Sequence, residues 1–332
     1  FIILALIILI LAGSVQACFS QLLSPVNQQS LNGIWQVTWS SGGHGSTNIE
    51  EFKSLISSKD PGRYIDVPVP MELHKALEQK GIIDDMNIGI NSLKAQWVAD
   101  QYWQYQTTFI LPESSTGKQL WLVFKQLDIN VHIYLNGVLA GTHLSANRPC
   151  RINVTDKVKV GENRLIVAIE SGLHWVSEKS GKDYSEGLDT WLNKRIWLRK
   201  PQYQFLWDWN PKLINVGITG DVSLEWAEKA RSDQSVAYAS LNNDLTEANI
   251  TFRSFIEGLE NGSLELTAAI EGTSINSTEK FELKKGINPY ELNLHLSNPT
   301  LWWPVGQGSQ FQYTINYTIK VDGKIINTGQ KR

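Results

Sequence analysis

VHIYLNGVLAGTH, residues 131–143, is the stretch on which the fold class turns. Val131, Ile133 and Leu135 alternate with His132 and Tyr134, the period of a strand with one buried face. Asn136-Gly137 then breaks the run before Val138 starts another. Asn and Gly both tolerate positive φ, which a type I′ turn demands, so the segment predicts a two-residue β-hairpin.

Moving outward, LWLVF (120–124) and NRLIVAI (163–169) are elements of the same kind, short and either β-branched or alternating. Nearer the start, Asn32-Gly33 is a turn, and it leads into a strand with Trp35, Val37 and Trp39 on one face. Many short strands with turn signals about every 8 to 12 residues, and no periodic helices between them, predict a β-sandwich. One helix stands out, at MELHKALEQKG (71–81). Leu73 and Leu77 lie four apart, Pro70 suits the first turn and Gly81 the C-terminal cap, predicting about ten helical residues. His74 within it reads as a packed residue and not a catalyst. The 40–46 loop, with three glycines around His44, lacks the strand-loop-helix context of a phosphate cradle and reads as surface.

EKARSDQ (228–234) carries charge and no apolar pattern, which marks a boundary. The expected division is a jelly-roll domain over 18–228 and a second sandwich over 229–332. Candidate strands in the second are Ala248 to Phe255, Ser263 to Ile270, Tyr290 to Leu296 and Gln310 to Lys320. The last would set Phe311, Tyr313, Ile315, Tyr317 and Ile319 on one face, and Asp322-Gly323 would turn into Lys324 to Thr328. About a hundred residues in some seven strands suggests an immunoglobulin-like architecture. It would have no Cys–Trp–Cys core, since Cys18 and Cys150 are the two cysteines of the chain.

Composition limits the function. The chain has 332 residues, 42% apolar, with a net charge of −3 and no long block of like charge. That describes folded domains with real cores and argues against nucleic acid as a partner. The six histidines show no i, i+4 pair, so neither a metal nor another cofactor is expected. FIILALIILILAG (1–13) is shorter than the ~20 residues that span a bilayer and precedes Ser14-Val15-Gln16-Ala17. It reads as a secretory signal peptide over 1–17, incomplete at its start, and not as a stable membrane anchor. Asn153, Asn249, Asn261, Asn276 and Asn316 each open an Asn-x-Ser/Thr sequon. Together these favour a protein of the secretory pathway, lysosomal or extracellular.

RKPQYQFLWDWNPKLINVGITGDVSLEW (199–226) carries the candidate chemistry. It sets Asp208 between Trp207 and Trp209 and closes with Pro211 and Gly217, which reads as a displayed loop and not a strand. Indole faces stack on the C–H faces of sugars, and a carboxylate accepts hydrogen bonds from neighbouring ring hydroxyls. The competing reading packs both indoles in the core and leaves Asp208 in an Asx-turn.

RKPQYQF-x-WDW-x-P followed by Gly-Ile resembles the motif near the end of the first domain in β-mannosidases of glycoside hydrolase family 2. The run from Pro70 through His74, Gly81, Asp84 and Asn91 to Trp97, then Trp103 and Tyr105, is similar to the same domain. The Leu-Asn-Gly hairpin with its following Gly and His resembles the family's opening sugar-binding jelly roll. PTLWWPVGQG (299–308) looks like a Trp-Trp-Pro-x-Gly turn of the second domain, read here as an aromatic corner packing one domain on the next. The resemblance implies an all-β chain, a jelly-roll sandwich followed by an immunoglobulin-like one. It implies an exo-acting, retaining β-mannosidase that removes terminal non-reducing β-D-mannose from oligosaccharides.

In that family the two catalytic carboxylates sit on a TIM barrel after the β-domains, and no strand-helix alternation of a barrel occurs in these residues. The expectation is therefore an N-terminal fragment, inactive alone, whose barrel follows in cis. Carried over by the resemblance, Trp207 supplies a wall or stacking contact and Asp208 grips the sugar hydroxyls, while Trp209 packs. Leu206, Asn210, Thr219 and Ser92 depart from the family pattern, the first two standing where Gly is common, so the loop path and the sugar fit are open. The alternatives are another family 2 exo-β-glycosidase and a non-catalytic carbohydrate-binding protein.

Overall fold

The computed structural model describes residues 27–41, 64–177, 179 and 194–332. The signal expected at 1–17, Cys18, the glycines of the 40–46 loop and most of the stretch between Ser171 and Trp191 lie outside the described residues. Among the described residues no helix is long and apolar enough to cross a membrane. The chain divides into two compact units, one spanning Gln29–Trp226 and the other containing Ala227–Arg332.

The strands of the first unit are β1 (Gln28–Ser30), β2 (Gly33–Ser41), β3 (Ile65–Val69), β4 (Gln101–Ile110), β5 (Gln119–Phe124), β6 (Leu127–Asp128) and β7 (Asn130–Leu135). They continue as β8 (Val138–Leu144), β9 (Cys150–Asn153), β10 (Glu162–Glu170), β11 (Phe205–Trp207), β12 (Asn210–Lys212), β13 (Gly217–Ile218) and β14 (Val222–Ala227). A four-stranded sheet runs β1-β14-β5-β9 and a six-stranded sheet runs β3-β2-β4-β10-β7-β8. β7 and β8 pair antiparallel around Asn136 (φ 54) and Gly137 (φ 85), the two positive φ values that a type I′ turn requires.

Alternation fills the space between the sheets. Trp35, Trp103, Tyr105, Ile133 and Val167 from one sheet share a core with Leu122, Phe124 and Leu224 from the other. Cys150 is a free, buried thiol in that core, and burial pushes it up to about 12, so it is not a reactive thiolate.

The helix at 71–81 is shorter than expected. α1 covers Leu73–Gln79, and its N-cap is Glu72, not a turn opened by Pro70. The Glu72 carboxylate accepts from the backbone N–H of His74 (3.1 Å) and Lys75 (3.0 Å), satisfying two of the donors that a helix start leaves unpaired. Gly81 does close it in the left-handed region (φ 68). Leu73 and Leu77 are buried, and so is His74, whose Nδ1 lies 2.7 Å from Glu72 Oε1.

The second unit is a seven-stranded sandwich. Its strands are β15 (Ala230–Leu241), β16 (Glu247–Gly258), β17 (Gly262–Ile270), β18 (Asn276–Leu283), β19 (Gly286–Ser297), β20 (Ile315–Val321) and β21 (Lys324–Lys331). The sheets run β15-β16-β19 and β18-β17-β20-β21, and Phe252, Leu266, Leu292 and Ile319 fill the core between them.

Three strands here differ from expectation, β18 being absent from the candidate strands. β15 starts inside the charged stretch read as the domain boundary, pairing with β16 from Ala230↔Gly258 to Leu241↔Ala248. β20 begins at Ile315, so Phe311 and Tyr313 precede it and instead meet edge to face with ring centroids 4.8 Å apart. Trp302 and Trp303 are 54% and 43% exposed.

Candidate functional site

The 199–218 stretch is built from its base upward. Lys200 Nζ lies 2.8 Å from Asp128 Oδ1, and the two side chains are 0% and 5% exposed. The same ammonium donates to the carbonyls of Ser171 (3.0 Å) and Asn215 (2.7 Å), so it holds two hydrogen bonds beside the ion pair. Pro201 then opens a 3₁₀ turn over Gln202–Gln204, whose side chains bind backbone. Gln202 Nε2 donates to the carbonyls of Arg195, Leu198 and Lys200, and Gln204 Oε1 accepts from Asn215 N at 3.1 Å. Gln204 Nε2 reaches Asp128 Oδ2 at 3.4 Å. Phe205 closes the base, buried with Ala99, Ile129, Leu173, Val176, Leu198 and Ile214.

From that base rises a short hairpin, where sequence reading expected a loop. β11 and β12 pair antiparallel with Phe205 opposite Lys212 and Trp207 opposite Asn210, leaving Asp208 and Trp209 as the two-residue tip. Asp208 takes φ 47, a left-handed conformation that Asp tolerates better than most residues. The return leg ends at Gly217 (φ 136), where an added Cβ would meet the Tyr105 hydroxyl at 2.8 Å, so glycine is required there on two counts.

Asp208 is exposed at the tip. Trp207 holds the last position of β11; its stacking role concerns a side chain outside what the structure describes. Trp209, expected to pack, is instead 98% exposed, because the second tip position of a two-residue turn points away from the sheet it closes. Leu206 adopts φ 85, whereas Asn210 is not among the positive-φ residues, so the family's first glycine position keeps its conformational demand and the second does not. A leucine held there is strained by about 1–2 kcal/mol. Leu206 is 49% exposed and gives up little burial. Leu206→Gly is therefore expected to stabilise the unit by about 1 kcal/mol net of the glycine's chain entropy, raising Tm by a few degrees in thermal denaturation. An unchanged or lower Tm contradicts the strain.

Burial sets the electrostatics of the base. It pushes the Asp128 carboxyl up and the Lys200 ammonium down, and each is opposed by the charge of the other. Sequence reading missed both residues as a pair. They lie far apart in the chain, and neither occurs in a spacing that a periodic motif would reveal.

Of the sequon asparagines, Asn153, Asn249, Asn261 and Asn276 are exposed and Asn316 is half-buried. Asn153 Oδ1 accepts from Thr155 N (3.0 Å) and Thr155 Oγ1 (2.7 Å), so this sequon sits in an Asx-turn. Asn249 lies within β16, Asn276 opens β18, and Asn316 lies in β20 between two paired strands.

One exposed carboxylate on a projecting tip can accept hydrogen bonds from a ligand's hydroxyls. It cannot by itself supply both the acid and the nucleophile of glycoside hydrolysis.

The profile described as "Glycosyl hydrolase 2 galactose-binding domain-like" matches residues 37–220, and that of "Glycosyl hydrolases family 2" matches residues 233–332. Beta-mannosidase B of Emericella nidulans is 29% identical over 269 residues, which cover 79% of this chain and 31% of that protein. The crystal structure of β-D-mannosidase from Dictyoglomus thermophilum superposes with a TM-score of 0.76 at 25% identity, covering 92% of this chain and 36% of that one. An exo-chitosanase of Amycolatopsis orientalis shares the fold, with a TM-score of 0.63 at 17% identity over 92% of this chain and 33% of that one. The chain thus spans about a third of the length of the curated relatives it matches. With one profile over more than half the chain and a second over residues 233–332, these residues belong to glycosyl hydrolases family 2.

Proposed function

We propose that these residues are the N-terminal part of an exo-acting β-mannosidase that hydrolyses terminal non-reducing β-D-mannose from β-D-mannosides with retention. The observation that carries this reading is the exposed Asp208 at the tip of a hairpin whose base is buried, in a chain similar over most of its length to β-mannosidases. In this reading Asp208 accepts hydrogen bonds from hydroxyls of the terminal mannose, and Trp207 lies against the ring. A tip that closes over the non-reducing end also blocks chain extension there, which restricts the enzyme to terminal residues. The acid and the nucleophile, about 5 to 5.5 Å apart in a retaining enzyme, come from a barrel domain that follows in the complete protein.

The test is a substrate panel on the complete enzyme: aryl β-D-mannoside against the β-D-galactoside, β-D-glucuronide and β-D-glucosaminide. Highest kcat/KM on the mannoside is the expected result, and residues 1–332 alone should release no aryl alcohol. Preference for another sugar reassigns the protein to a different family 2 exo-β-glycosidase. Binding without turnover by the complete protein makes it a carbohydrate-binding protein. The apolar run at 1–13 and the five sequons support passage through the secretory pathway, to the lysosome or the exterior. Expression in a eukaryotic host followed by N-glycosidase treatment checks this, and an unshifted band removes the secretory assignment.

A further inference from the structure

We infer that Gln204, with the buried Lys200–Asp128 pair beneath it, is a positioning residue for Asp208. The inference rests on Asp208 touching the sugar, as proposed above. Both legs of the hairpin are fastened at one level by this glutamine. Its carbonyl accepts from Leu213 N at 3.1 Å and its side-chain oxygen from Asn215 N at 3.1 Å, so the outgoing and returning chains are tied through a single residue. Its amide nitrogen reaches Asp128, and Lys200 binds both Asp128 and the carbonyl of the same Asn215. The ties form a closed loop from Gln204 through Asn215, Lys200 and Asp128 back to Gln204, and Gln204 is only 5% exposed.

Above this loop the hairpin pairs Phe205 with Lys212 and Trp207 with Asn210, and the residues from Leu206 to Asn210 are exposed wherever their side chains are described. Asp208 is four residues beyond Gln204, at most about 13 Å of chain if it were fully extended. A tilt of about 5° at the base therefore moves the tip by up to about 1 Å, a displacement that can cost on the order of 100-fold in rate when it misplaces a substrate-orienting group. Among the described residues no hydrogen bond or ion pair holds Asp208 at the tip. The buried amide does so from below, and it never meets the sugar.

A double-mutant cycle in the complete enzyme tests this. Gln204→Leu should lower kcat/KM on its best exo substrate by about 10- to 100-fold while Tm moves by only a few degrees. In an Asp208→Ala background the same change should cost less than about 3-fold, because the group it positions is already gone. Gln204→Asn, which keeps the amide and shortens its reach, should fall between the two in the wild-type background and is read in the same way if the leucine variant does not fold. Equal losses with and without Asp208, or no loss in either variant, overturn the positioning role. If the best substrate is not a mannoside, the specificity proposed above fails, yet the cycle on the sugar that is cleaved still decides the role of Gln204.

Discussion

Lys200→Met should destabilise the first unit by about 3–5 kcal/mol, the cost of removing one partner of a buried ion pair. Lys200 Nζ serves Asp128 and two carbonyls, and Asp128, at 5% exposed, and Ser171 are both buried away from solvent. Methionine fills the volume of the lysine stem, so the loss reports the charge and not a cavity. The variant leaves the Asp128 carboxylate buried beside Gln204 alone, and that carboxyl is already pushed up by burial when Lys200 is present. Without the ammonium it rises further.

The sign of the pH effect follows. An acid whose folded pKa exceeds its unfolded value contributes most to stability below the unfolded value, and that contribution is lost as pH rises through the folded pKa. The gap between Lys200→Met and wild type should therefore be largest near neutrality and narrow on acidification toward the ordinary aspartate range. Lys200→Met/Asp128→Leu should recover part of the loss, because no charge then remains buried. It should not recover all of it, since the carbonyls of Ser171 and Asn215 each lose a donor at about 1–3 kcal/mol. Urea unfolding of the single and double variants at pH 7 and pH 5 measures all of this. A single variant within 1 kcal/mol of wild type at pH 7 would show that the pair carries little.

What the sequence made legible follows from how each element is held. β5, β7 and β10 each bury a face, so their apolar residues alternate or run together and announce a strand. β15 and β18 lie at sheet edges, where small and polar residues suffice, and neither is visible in the apolar pattern. The β11–β12 hairpin was missed for another reason. Its sequence, FLWDWNPK, has no alternation of its own, and what makes it a hairpin is the fastening of Gln204 to Leu213 and Asn215 below it. Asp208 was legible as a candidate because its neighbours are unusual, whereas Gln204, Lys200 and Asp128 were not, because their partnership joins parts of the chain up to 76 residues apart. Trp209 was assigned to packing as part of what the family resemblance implies, and only the two-residue turn decides that this indole is exposed.

Asp208→Ala in the complete enzyme should lower kcat/KM on an aryl β-D-mannoside by about 10- to 150-fold, the equivalent of about 1.5 to 3 kcal/mol for one charge-assisted hydrogen bond. Stability should scarcely change, because Asp208 is exposed and makes no hydrogen bond or ion pair that a folded core depends on. The left-handed φ of 47 adds a small cost for alanine, which Asp208→Gly avoids and Asp208→Asn tolerates. Asparagine keeps the shape and one acceptor oxygen but turns the other into a donor, so it should fall between aspartate and alanine. That ordering separates a lost hydrogen bond from a distorted turn: if backbone strain were the cause, glycine and asparagine would behave like wild type. The tip should also govern which end of a chain is accepted. Removing the carboxylate weakens the grip on the terminal sugar, so activity on manno-oligosaccharides should fall at least as far as on the aryl glycoside, where the aglycone contributes separate binding. Wild-type kinetics on both substrates for Asp208→Ala would remove the hairpin tip from the sugar site.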